Sequence, residues 1–96
     1  MANLAQVITL EGYAVVRGVL DAQACQTLNA AIDTCRAAPG PTHRVLSAPG
    51  APVFESELFR WPDIGPIRDL ATTGPLPDLA RAVFGTDTVI LMEDQW

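Results

Sequence analysis

A chain of 96 residues has room for one small core and no second domain. Apolar residues make up 49%, which excludes a compositionally disordered segment, although the 14 alanines among them keep the core thin. Eleven Asp and Glu against six Arg, with no Lys, give a net charge of −5, the wrong sign for a nucleic-acid backbone or an anionic membrane surface. No window approaches the roughly 18 continuous apolar residues of a membrane span. Met1-Ala2-Asn3-Leu4 places no basic stretch ahead of an apolar one, so a cytoplasmic protein is expected.

In chain order, Leu4, Val7 and Ile8 recur at helical spacing and predict a short helix over 4–10. After Gly12, Tyr13-Ala14-Val15-Val16 is a β-prone run and predicts one short strand. Asp21 is an N-cap with Leu20 placed to staple the first turn. From Ala22 to Ala38 the period changes: Ala24, Leu28, Ala31, Ile32 and Cys35 form an apolar stripe that Pro39-Gly40-Pro41 ends. This helix, packed on the Tyr13 to Val16 strand, is expected to organise the fold. It also separates Cys25 from Cys35 by roughly 15 Å at about 1.5 Å per residue, too far for a disulfide, so both are expected reduced and packed.

Residues 39–53 hold four Pro and two Gly and predict a long loop, with His43 and Arg44 as ordinary loop side chains. Phe54, Leu58 and Trp61 stand at helical spacing and predict core packing. Ile67, Leu70 and Ala71 suggest one or two helical turns, and Pro75 to Phe84 a further helix capped by Gly85. Thr88-Val89-Ile90-Leu91-Met92 is of strand type. With only Tyr13 to Val16 as a neighbour, its edge is expected to stay uncovered unless a copy, a partner or a further segment pairs with it. A domain interrupted partway is therefore the expectation.

The chemistry in these residues is sparse. A facial-triad iron site needs two imidazoles and a carboxylate, and a structural zinc site about four Cys or His ligands; His43, Cys25 and Cys35 supply neither. Ser47 and Ser56 lack a nucleophile elbow, and Gly12 and Gly18 lack phosphate-loop spacing. Glu55 and Glu57 would bracket a ligand from an extended segment, but a solvated face is the expectation. No residue of the chain is therefore assigned a catalytic, cofactor-binding or metal-ligating role.

Glu11-Gly12-Tyr13-Ala14-Val15-Val16-Arg17-Gly18-Val19-Leu20-Asp21, followed by an Ala-rich helix, resembles the start of the phytanoyl-CoA dioxygenase family, where Gly-Tyr precedes a Val-Val-x-Gly-x-Leu strand and a helix. The resemblance continues in order through Leu58-Phe59-Arg60-Trp61, Ile67-Arg68-Asp69-Leu70-Ala71, Leu79-Ala80-Arg81-Ala82-Val83-Phe84-Gly85 and Val89-Ile90-Leu91-Met92-Glu93-Asp94-Gln95-Trp96. It implies a non-haem Fe(II), 2-oxoglutarate-dependent oxygenase on a double-stranded β-helix of the jelly-roll, cupin-like kind. The family's His-x-Asp pair, later His and cosubstrate-gripping basic residue would all lie after Trp96. On this resemblance, residues 1–96 are a single partial domain: mixed α/β, the N-terminal helical and first-strand portion of the β-helix. Fe(II), 2-oxoglutarate and a small-molecule substrate belong to a complete member, and this chain alone is expected to be inactive. Asp94 and Gln95 match the end of a strand that approaches the cosubstrate pocket, with a supporting role expected. The alternative is a non-catalytic interaction or scaffold module that self-associates or completes its sheet with a partner through the C-terminal strand.

Overall fold

The computed structural model describes residues 3–96 and is a mixed helix and sheet structure. Its elements run α1 (Leu4–Glu11), α2 (Ala22–Ala37), β1 (Arg44–Val45), β2 (Glu55–Ser56), α3 (Gly65–Thr72) and α4 (Pro75–Phe84). Local chemistry explains the helix ends. The Asn3 side-chain Oδ1 accepts from Gln6 N–H at 3.2 Å, and the Asp21 carboxylate from Ala24 N–H at 2.8 Å. Pro in the first turn opens α3 and α4, where its missing N–H removes no helical bond. Gly85 closes α4 in the left-handed region, at φ 64°, and gives its N–H to Arg81 O.

The apolar stripe of α2 faces inward as its period predicts: Ala31 and Cys35 are buried, and Ala24, Leu28 and Ile32 half-buried. Its partner differs from the expected one. α2 lies on α3, α3 on α4 and α4 on α1. The core consists of Ala31, Cys35 and Ile64, with Ile67 and Trp96 packed against it. Cys35 is fully buried, whereas Cys25 is exposed, so only one of the two thiols packs.

Neither predicted apolar strand forms a ladder among the described residues. Tyr13–Val16 has no regular secondary structure and no backbone partner, with Tyr13 and Val15 exposed, so α2 has no strand there to pack on. Thr88–Met92 likewise has no regular secondary structure and no ladder, Val89 and Leu91 half-buried and Ile90 and Met92 exposed. The alternation is that of a strand, but β conformation is secured by a neighbouring backbone and none is present.

The sheet forms instead inside and just after the Pro-rich stretch expected to be a loop. β1 and β2 are antiparallel, Arg44 opposite Ser56 and Val45 opposite Glu55, and Leu46 N–H donates to Phe54 O at 2.7 Å. The helical spacing of Phe54, Leu58 and Trp61 is therefore coincidental: the segment is extended, with Phe54 exposed and only Leu58 and Trp61 half-buried. The chain leaving β2 pairs on its other side with the last residues. Glu57 and Trp96 exchange both backbone bonds at 3.1 Å, Leu58 bridges Gln95, and Phe59 N–H reaches Asp94 O at 3.2 Å. No helix of the described residues is long and apolar enough to cross a membrane.

Candidate functional site

Residues two apart on an extended strand share a face, and this places the carboxylates of Glu55 and Glu57 beneath the C-terminal end of α2. Both were expected to be solvated. Glu57 is instead fully buried, and Glu55 is largely enclosed. Glu57 accepts from Gly40 N–H at 2.6 Å, from Arg60 Nη1 at 2.6 Å and from the Trp96 indole N–H at 3.1 Å. Glu55 accepts from Arg36 Nε and lies 3.0 Å from His43 Nε2. His43 is thus no ordinary loop side chain. Its ring tilts against Trp96 with centroids 6.0 Å apart, and the Arg36 guanidinium stands 5.5 Å from the Trp96 ring centre.

The backbone around this pair is shaped to admit it. A Cβ on Gly40 would stand 3.2 Å from Glu57 Oε2 and 3.3 Å from Arg60 Cδ, so the glycine lets the chain come close enough to donate. Thr42 Oγ1 donates to Leu58 O at 2.6 Å and accepts from Leu58 N–H at 3.0 Å, binding the loop to the strand beside it. Arg60 also reaches Ala38 O at 3.1 Å, while its buried Nε has no partner among the described residues.

Asp94 and Gln95 sit where the last segment joins β2. The Asp94 carboxylate accepts from the N–H groups of Arg60 and Trp61, both at 3.1 Å, and Gln95 Nε2 donates to Ser56 Oγ at 2.9 Å. The two bonds to Asp94 hold Phe59 at φ 61°, a left-handed conformation taken by no other non-glycine residue described.

The electrostatics follow from these partners. The hydrogen bonds from His43 and then Arg36 hold the Glu55 carboxyl below the usual carboxylate range. Burial pushes Glu57 upward, but the Gly40 N–H, Arg60 and Trp96 donors outweigh it and leave its pKa lowered. Burial pushes the Cys35 thiol up despite nearby Arg60. For both carboxyls the folded chain binds fewer protons than the unfolded one, so their contribution is complete above the ordinary value of about 4.5 and is lost as pH falls through the lowered values. Urea midpoints measured from about pH 7 down to about pH 3 should hold level and then fall below about pH 4.5, with a shallower fall in Glu57→Gln. An unchanged acid slope in that variant would remove Glu57 from the account.

Every oxygen of the acidic pair is engaged by a donor, so the arrangement is a clamp and not a poised acid or base. A separate apolar groove of about 680 Å³ lies between α2, α3, α4 and residues 89–96, lined by Leu28, Ile32, Ile67, Leu70, Ala80 and Leu91. Its one cation, Arg81, is held by Asp78 at 2.9 Å and Asp87 O at 3.0 Å. No three His, Cys, Asp or Glu side chains among the described residues converge on a metal position. The single imidazole is already bonded to Glu55, so the residues present do not fit the two-histidine iron site of the family resembled. Sequence reading missed Arg36, Gly40, Thr42, Arg60 and Trp96 as members of the clamp. The one signal for it was the Glu-x-Glu alternation of 55 and 57 in a segment without helical period.

No family model, curated protein or solved structure matches the chain.

Proposed function

We propose that this chain is the N-terminal part of an Fe(II)/2-oxoglutarate-dependent dioxygenase domain of phytanoyl-CoA dioxygenase type, non-catalytic by itself. The observation that carries the reading is the Thr88–Met92 segment. It lines an apolar groove, with Val89 and Leu91 half-buried, Ile90 and Met92 exposed and no backbone partner among the described residues, which is how one strand of an incomplete β-helix would lie on its helical support. The ordered resemblance from Glu11 to Trp96 supplies the family. On this reading the iron and 2-oxoglutarate, held by later residues, supply the oxidising chemistry.

The same unpaired edge favours a second reading, a non-catalytic interaction module that completes its sheet with another chain. Two results separate the readings. An open frame after the Trp96 codon that carries His-x-Asp and a later His supports the first; a stop codon there in an intact gene overturns it in favour of the second. The purified 96-residue chain should release no succinate from 2-oxoglutarate with Fe(II) above a chelated control, and chelator-sensitive turnover would refute the non-catalytic assignment under either reading.

A further inference from the structure

Two apolar segments of this chain have no backbone partner among the described residues, and their side chains complement each other. Thr88–Met92 is bounded by Asp87 and Glu93, and neither carboxylate is ion-paired among the described residues. If this edge paired antiparallel with itself in a second copy about Ile90, Asp87 would face Glu93 at both ends, and directly opposed like charges destabilise a ladder. Tyr13–Val16 is bounded by Arg17, which also makes no ion pair among the described residues. Tyr13 is 69% exposed and Val15 66%. Within one copy no backbone bond joins the two segments.

Resting on the module reading, we propose that the Thr88–Met92 edge is covered by Tyr13–Arg17 of a second copy, exchanged reciprocally in a closed two-fold dimer. Antiparallel pairing with Arg17 opposite Asp87 sets Val15 opposite Val89 and Tyr13 opposite Leu91, and the ladder ends there because Gly12, at φ 83°, turns the chain into α1 before Glu11 comes opposite Glu93. All of the paired residues then lie on the face that Val89 and Leu91 already turn to the apolar groove. Valine meets valine and tyrosine meets leucine across the ladder, the one arginine of the first segment meets an aspartate that also makes no ion pair among the described residues, and reciprocity uses both free edges of both copies.

Sedimentation of the full chain over a concentration series, with far-UV circular dichroism confirming the fold of each variant, tests this. The wild type should dimerise. Arg17→Asp and Asp87→Arg should each weaken dimerisation by about tenfold, since each places like charges opposite one another twice per dimer, and the double variant should recover most of the loss. In a Cys25→Ser background, Val15→Cys with Val89→Cys should form a disulfide between copies under mild oxidation. A chain that stays monomeric to about 0.5 mM overturns the inference, as does a dimer indifferent to either charge reversal, which would mean another face is used. Either failure leaves the module reading itself to the reading frame after Trp96, which decides it independently.

Discussion

Glu57→Ala should remove most of the stability of the chain at 25 °C. The substitution strips a buried Arg60 guanidinium of its closest anion and orphans the Gly40 N–H and the Trp96 indole N–H together. Removing one member of a buried ion pair costs about 3–5 kcal/mol. A small domain has only about 5–15 kcal/mol of stability, and a core of Ala31, Cys35 and Ile64 puts this one toward the lower end. Urea unfolding followed by tryptophan fluorescence would show the midpoint collapse, because Trp96 itself reports on the clamp. Glu57→Gln keeps an acceptor but removes the charge, and should fall between wild type and Ala. Glu55→Ala should cost less than Glu57→Ala, since its partner Arg36 is half in solvent and keeps its hydration. A Glu57→Ala midpoint equal to that of Glu55→Ala would show that burial of the pair does not govern stability.

Asp94→Ala should be the second most damaging change, at about 2–4 kcal/mol for two backbone N–H groups that lose a charged acceptor. Its effect should be local before it is global. Phe59 is kept in the left-handed region by the bonds that Arg60 and Trp61 make to Asp94. Without them the residue relaxes, and the pairing of Asp94 to Trp96 with Phe59 to Glu57 goes with it. Amide exchange at Arg60, Trp61 and Trp96 should quicken well before exchange in α2 does. Phe59→Gly in the same background should recover part of the loss, because glycine takes a positive φ without strain. Protection of those three amides that outlasts Asp94→Ala would show that the turn is held by packing of Trp61 and Trp96 and not by the carboxylate.

These two residues mark where local reasoning stops. Capping and periodicity are set by neighbours within four positions, and there the chain is legible: Asp21 caps α2, Ala31 and Cys35 fall on its buried face, and Pro75 and Gly85 bound α4. Glu57 finds its partners at Gly40, Arg60 and Trp96, separated from it by 17, 3 and 39 positions. No window of sequence contains that set.

The helices, their inward faces and the alternation of Thr88–Met92 were therefore determined by the sequence itself, since a helix satisfies its own backbone and needs only an apolar stripe to be docked. Tertiary structure decided which extended segments became sheet. Tyr13–Val16 and Thr88–Met92 carry the stronger β-forming side chains, yet neither is paired. Arg44–Val45 and Glu55–Ser56, with a Pro-rich link between them, do pair because the hairpin brings two backbones within bonding distance and the buried carboxylates draw the loop onto α2. A strand is defined by the neighbour that accepts its hydrogen bonds, and that neighbour is a property of the fold and not of the segment.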